Sequence, residues 1–302
     1  MGIADLLRGV EGQGAFGVWL GRTDGAAVFT HAAERTHYSA STMKLPVAMA
    51  MLRKVDAGEL ALDQPVTVHN DFASAAGGRF GVNRAEDEAP ATWEKLGSEV
   101  PLSWLATEMI TRSSNLATDL VLELVGAEAA NAVLTEADLH HSSTSGAQTL
   151  PRSATATDPV PRGLVSGGRP ADESVIKRGI DDSPAQQAGI SNMMSPAGLA
   201  GVLVAVSNDA TPSGQYLRDL LAANEWNGEI PAGVPAGTRV EHKNGWDLRI
   251  RHDGGVVRPA DADPFVLVVC TTSDLPDRDA QQLIAAIAAE AWEHRHNLEA
   301  VK

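Results

Sequence analysis

Ser41 and Lys44 stand three residues apart in Ser41-Thr42-Met43-Lys44. On a helix that offset places both side chains on one face, one turn apart. A lysine amine so placed can take the serine proton, or its charge can make the hydroxyl more acidic. Either way the serine becomes a nucleophile able to attack a carbonyl. Residues 40–52 are mostly small or apolar, which predicts a buried helix starting near Ser41, with Pro46 tolerated in its first turns. The first N–H groups and positive dipole end of such a helix favour an oxyanion. An N-capping serine beside a solvated lysine would read the same, and a second copy runs from Ser174 to Lys177. The pattern alone decides nothing.

Its downstream company is more informative. Ser113-Ser114-Asn115 falls between two predicted helices, 102–110 and 115–125, and Lys243-Asn244-Gly245 ends a predicted strand, 239–243. Lys-x-Gly recurs at Lys95 to Gly97 and at Lys177 to Gly179, so it too is unspecific by itself. The order is specific: nucleophile on the first long helix, Ser-x-Asn between middle helices, Lys-x-Gly on a late strand. Met109-Ile110-Thr111 precedes the second motif and Gly237-Thr238-Arg239-Val240 the third.

This ordered set resembles the penicillin-recognising serine hydrolases, the class A β-lactamases, DD-peptidases and their relatives, over about residues 16–292 apart from an insertion. The resemblance implies an α/β (α+β) fold of the β-lactamase/transpeptidase-like kind, an antiparallel sheet flanked by terminal helices plus an all-helical subdomain. It implies Ser41 as nucleophile, Lys44 as its activator, Ser113 as proton shuttle to the leaving nitrogen, and Asn115 as holder of the substrate amide and of Lys44. Lys243 would attract a substrate carboxylate and tune Ser113. Asn244 and Gly245 would line the substrate, and the backbone N–H groups of Ser41 and Trp246 would form the oxyanion hole. No metal or organic cofactor is required.

Three departures stand out. Ser114 replaces the aspartate of Ser-Asp-Asn. Asn244 replaces the hydroxyl residue of Lys-Thr-Gly, which contacts the substrate carboxylate. The Ω-loop Glu-x-x-Leu-Asn, whose glutamate activates the deacylating water, has no counterpart between Ser113 and Lys243. Asp181 and Asp182 occupy the corresponding place in chain order, with Glu173 a poorer substitute; a pair of surface aspartates in a turn would read the same. General-base help is worth ~10²–10⁴-fold, so its loss would leave a slowly cleared acyl-enzyme. The expectation is therefore a β-lactam hydrolase acting through Ser41. The alternatives are a DD-peptidase, esterase or amidase with slow β-lactam turnover, or a non-hydrolysing, sensor-like binding domain. Arg249 and Arg251, two apart in a predicted strand over 248–257, would share a face and could clamp an anionic substrate.

The elements that must position these residues are legible in outline. Runs 16–20 and 26–30 around an Asp-Gly turn read as a hairpin. Helical patterns cover 127–136, 196–207, 215–223 and 278–295, and a further strand covers 265–272. Strands at both ends suggest an α/β subdomain from residues 1–45 and 192–302, with a helical subdomain at 46–191. Residues 140–172 are rich in Ser, Thr, Pro and Gly and read as an exposed insertion.

Composition excludes other classes. The 302 residues carry 24 Lys+Arg against 39 Asp+Glu, a net charge of −15 that repels polyanions, and no basic stripe invites nucleic acid. One cysteine, Cys270, rules out internal disulfides and cysteine-based metal fingers. Gly12 to Gly17 fits G-x-G-x-x-G, but no strand precedes it and no helix follows. His294 and His296, with Glu290 and Glu293, read as solvated charges, and Met43, Met49 and Met51 as core filling. His140-His141 adjoins the insertion, and His252-Asp253 at a strand end borders the expected site. No apolar run suits a membrane span, and the N-terminal residues lack export features, so a cytoplasmic monomer or homodimer with a small-molecule substrate is expected, or an extracytoplasmic one if a leader has been removed.

Overall fold

Strand-forming runs from the two ends of the chain pair into one antiparallel sheet. Its strands are β1 (Gly14–Arg22), β2 (Ala27–His31), β3 (Arg239–Asp247), β4 (Ile250–Arg258) and β5 (Phe265–Ser273), in the order β2-β1-β5-β4-β3. This is a computed structural model, and it describes residues 2–144 and 174–301. The principal helices are α1 (Ile3–Arg8), α2 (Lys44–Asp56), α3 (Leu102–Thr111), α4 (Asn115–Val125), α5 (Ala127–Thr144), α6 (Pro196–Asn208), α7 (Pro212–Ala222) and α8 (Asp277–Glu293).

Strand alternation divides the apolar residues between two cores. Phe16, Val18 and Leu20 of β1, with Phe265, Leu267 and Val269 of β5, meet α1 and α8 on one face. Helix α8 answers with Ala280, Leu283, Ile284, Ile287, Ala288 and Ala291, a stripe at three- and four-residue spacing. Trp19, Val266, Val268 and Cys270 point the other way, into a larger core shared with α2 to α6. Helix α6 lies close on β4 because Gly254 has no side chain. A Cβ there would stand 2.7 Å from Leu199 Cδ2.

Several boundaries differ from the sequence reading. The β3 strand runs on through Lys243-Asn244-Gly245 instead of ending at it. Ser41 sits in a 3-10 turn, Ala40–Met43, and α2 proper starts at Lys44. Helix α5 continues to Thr144, into the region read as insertion, and the remainder of that stretch, from residue 145, lies outside the described residues. Arg249 belongs to the turn between β3 and β4, with φ of +64°, so it does not share a strand face with Arg251. Among the described residues no helix is long and apolar enough to cross a membrane.

The loop before α6 is tied to the molecule by two buried side chains. Arg178 donates to the backbone oxygens of Gly179 (2.8 Å), Ile180 (2.6 Å) and Ile190 (2.9 Å) and stacks on Tyr38. Asn192 Oδ1 accepts from Lys177 N (2.8 Å) and Arg178 N (3.1 Å), while its Nδ2 donates to Arg178 O and Met43 Sδ. Replacing that amide would strand buried backbone groups without partners. Asn192→Ala is expected to lower unfolding stability by about 2 kcal/mol. Urea denaturation checks this, and a loss within a few tenths would mean that the loop's other ties, Arg178, Asp119 and Asp182 among them, hold it without the Asn192 amide.

Candidate active site

Four elements converge on Ser41: the turn that carries it, the first residue of α2, the corner between α3 and α4, and edge strand β3. Gly245 makes the last approach possible, because a Cβ on it would lie 2.8 Å from Ser41 N and 3.0 Å from Thr42 N. Two residues hold left-handed backbone here, Ala40 (φ +44°) just before Ser41 and Ser113 (φ +62°) at the corner. Such conformations cost on the order of 1–3 kcal/mol each in a non-glycine residue and persist only where the surroundings impose them.

Lys44 and Lys243 are both fully buried. Lys44 Nζ donates to Ser113 O (2.5 Å), Ser113 Oγ (3.1 Å) and Asn115 Oδ1 (2.8 Å), so all three of its protons are engaged. Lys243 Nζ donates to the same Ser113 Oγ at 3.1 Å and to Asn244 O at 2.8 Å. Ser113 Oγ thus accepts from both ammonium groups, leaving its own proton to point elsewhere. Burial brings Lys44 down to about 8, against the pull of Asp87, Asp181 and Asp119, while burial and the charge of Lys44 push Lys243 well below the usual lysine range. Ser41, 9% exposed, makes no hydrogen bond through its hydroxyl among the described residues, Lys44 included.

The two aspartates of the loop part company. Asp181 accepts from Asn115 Nδ2 at 3.1 Å, and burial raises it to about 6 despite the nearby Lys44 charge. Asp182 is turned away. It caps the Ser183–Gln187 helix through Ala185 N (3.0 Å) and takes Ser74 Oγ (2.7 Å) and Ala75 N (2.8 Å).

Other expected contacts are closed off by internal partners. Asn244 is 1% exposed, and its Nδ2 donates to Glu229 Oε2 (3.2 Å) behind the strand. Arg251 is paired with Glu229 (3.0 Å) and Asp277, and Arg249 with Asp274 (2.5 Å). Both guanidinium groups are neutralised by carboxylates. Trp246, following Gly245, is half-buried between Trp226 (ring centroids 5.0 Å) and the Arg251 guanidinium (5.5 Å).

His252 accepts from Thr271 N at 3.0 Å on Nδ1, so Nε2 carries the proton and donates to Tyr38 O at 2.8 Å. Burial lowers it to about 4, leaving a neutral ring that braces the segment before Ser41. Asp253 pairs instead with His242 (3.0 Å). The second Ser-x-x-Lys lies in an extended segment, Ser174 Oγ against Ser195 and Lys177 exposed. His294 contacts Glu290 and His296 contacts Asp261, separate surface pairs.

The profile of the beta-lactamase enzyme family matches residues 2–295. The chain belongs to this family. No curated protein sequence matches it. Among solved structures it is similar to PBP-A (20% identity, TM-score 0.71, covering 96% of this chain and 94% of that one). It is also similar to a β-lactamase from Sphaerobacter thermophilus (21%, TM-score 0.70, 97% of each) and to an ancestral class A β-lactamase, GNCA (25%, TM-score 0.69, 96% and 97%). The family fold is the one expected from the motifs.

Sequence reasoning missed two buried or partly buried acids beside the site. Asp87 sits in a loop of acidic residues with no distinguishing pattern. Asp119 lies one turn after Asn115 on α4, a charge on an otherwise apolar face, and that spacing was a usable signal. Its Oδ1 accepts from Ile180 N at 2.8 Å, whereas its buried Oδ2 has no partner among the described residues. Burial raises it to about 7, with the Ile180 N–H and Lys44 opposing. The folded state therefore holds this proton more tightly than the unfolded chain, and folding stability drops as pH climbs from about 4 to 7, then levels. Asp119→Asn removes that penalty. The variant should be more stable than the parent by ~2 kcal/mol at pH 8 and no more stable at pH 4, by denaturation at the two pH values.

Proposed function

We propose that this member of the β-lactamase family is a serine hydrolase acylated on Ser41, and that it hydrolyses β-lactams. The observation that carries the reading is Ser113 Oγ held 3.1 Å from both Lys44 Nζ and Lys243 Nζ. With its lone pairs occupied by two donors, that hydroxyl can only offer its proton outward, where a leaving nitrogen would need one.

Neutral Lys44 would take the Ser41 proton as Oγ bonds to the carbonyl carbon. With a midpoint near 8, roughly a tenth of Lys44 is neutral at pH 7. The oxyanion would be received by the Ser41 and Trp246 N–H groups, consistent with the close approach of Gly245 to Ser41 N. Ser113 would protonate the leaving nitrogen as the amide bond breaks, and Lys44 would replenish Ser113. For release, Asp181 would draw a proton from water as the water oxygen bonds to the acyl carbon. The carbon–Oγ bond would then break as that proton is returned through Lys44 to Ser41 Oγ, freeing the carboxylic acid. A raised but still sub-neutral affinity keeps this carboxylate ionised at pH 7. A similar structure, a PBP-A variant, is described as an acyl-enzyme complex with penicillin G.

A second reading is favoured by Asn244. Its amide faces Glu229, and Arg249 and Arg251 are neutralised, so a substrate carboxylate finds little to bind. That supports an amidase or esterase acting on a substrate without a carboxylate there, with slow β-lactam turnover. Intact-protein mass spectrometry with penicillin G separates the two: β-lactam hydrolysis requires rapid return to native mass with consumed drug, whereas the second reading leaves a persistent adduct. Ser41→Ala should abolish any adduct while leaving the melting temperature within a degree or two. An adduct surviving that change would refute the nucleophile. Asp181→Asn should lengthen the adduct's lifetime at least ~100-fold without preventing its formation. An unchanged lifetime would remove Asp181 from the release step.

A further inference from the structure

The corner that holds Ser113 lacks the middle aspartate of the Ser-Asp-Asn pattern, yet a carboxylate is present. It comes from the loop preceding the Pro90–Trp93 turn. Asp87 Oδ2 accepts from Leu116 N (2.9 Å) and Ser114 Oγ (3.2 Å), and Asp87 Oδ1 from Asn115 N (3.2 Å). Within its own loop the same carboxylate takes Ala89 N (3.2 Å) and Trp93 Nε1 (3.0 Å). Both oxygens are thus engaged, and the side chain is fixed from two elements distant in sequence.

We propose that Asp87 is a positioning residue for the candidate site, supplying across a tertiary contact the negative charge that Ser114 does not. It would hold the Ser113–Asn115 corner against Lys44.

The first N–H groups of α4, at Asn115 and Leu116, have no partner inside the helix, and a carboxylate there meets both them and the helix dipole. The α4 start is also where Ser113 keeps its left-handed backbone and where Asn115 turns its Oδ1 to Lys44 at 2.8 Å. Ser114 Oγ, which could not satisfy all these donors, accepts from Ala117 N and donates a hydrogen bond to Asp87. Asp87 therefore acts on Lys44 in two ways: through the geometry of Ser113 and Asn115, and as a counter-charge. Burial is the largest influence on Lys44 and lowers its proton affinity; among the groups that raise it, Asp87 comes first, ahead of Asp181 and Asp119, and the Lys44 charge in turn lowers Lys243. The other acids that sense Asp87 are Asp181 and, behind the corner, Glu108.

The test reads Lys44 directly and needs no substrate, so it stands whether or not Ser41 is acylated. In full-length protein labelled with ¹³C-lysine, the Lys44 signal is identified by its absence from Lys44→Met and titrated. Asp87→Asn should move its midpoint from about 8 downward by about one pH unit, because the ammonium loses a nearby counter-charge. Ser114→Asp in the Asp87→Asn background should bring the midpoint back to within a few tenths of the parent. A lowered melting temperature with an unmoved Lys44 midpoint would reduce Asp87 to a helix cap and overturn the proposal. If Asp87→Asn does not fold, the double variant decides: a folded protein with the parental midpoint supports the exchange of one carboxylate for the other, and a displaced midpoint refutes it. Penicillin G acylation, followed over the same pH range, should shift its acidic limb in parallel. Failure of the parent itself to be acylated would count against the Ser41 reading alone.

Discussion

Two ammonium groups share one hydroxyl in a place water does not reach. Lys44 and Lys243 are fully buried, and both reach Ser113 Oγ at 3.1 Å. Two unit charges about 5 Å apart at an effective dielectric near 20 repel by roughly 3 kcal/mol, and each also loses its hydration. The surrounding structure answers that cost. Asp87, Asp119 and Asp181 lie around Lys44, and Asp253 and Glu229 around Lys243 from behind the strand. The remaining imbalance appears as lowered proton affinity in both lysines, the condition under which an amine becomes available as a base near neutral pH.

Holding such a pair requires elements that cannot drift. The sheet does part of this. Register pairs Gly245 with His252 and Lys243 with Gly254, so the strand carrying Lys243 is fixed against β4, itself pressed on α6 at Gly254. His252, neutral and bonded to Tyr38 O, ties β4 and, through Thr271 N, β5 to the segment leading into Ser41. The left-handed residues Ala40 and Ser113 are then held by packing on both sides. Their strain is confined to the two turns that present hydroxyl groups.

What could be read from the sequence follows from how each residue is specified. Ser41, Lys44, Ser113, Asn115 and Lys243 lie in local patterns whose order along the chain singles them out, and the periodicity of 278–295 and the hairpin near Asp24-Gly25 foretell elements whose apolar residues face one core. The two Ser-x-x-Lys copies could not be separated by spacing. The difference is that one leads into a buried helix and the other lies extended against Met193. Arg251 looked available because its counter-ions, Glu229 and Asp277, come from either side of it at a distance of more than twenty residues. Asn244 reads as a residue lining the substrate because motif position does not say that Glu229 stands behind the strand to take its amide. Asp87 acts only through tertiary contacts, and a carboxylate in an acidic loop carries no pattern; Asp119 does carry one, its spacing from Asn115 on an apolar helix face.

Asn115 joins the two halves of the proposed chemistry. Its Oδ1 accepts from Lys44, the proposed activator of Ser41, and its Nδ2 donates to Asp181, the proposed partner of water. One amide therefore orients a cation and a carboxylate that would otherwise pair directly, and keeping them apart preserves a base for each step. A direct Lys44–Asp181 ion pair would strengthen both charges, lifting the lysine and lowering the acid away from neutrality. The amide can do this only while its backbone is fixed, and Asp87 holds that backbone at Asn115 N and Leu116 N. Thus a loop acid with no contact to Lys44 among the hydrogen bonds of the site sits at the base of the arrangement, and the departure at Ser114 is compatible with an intact corner.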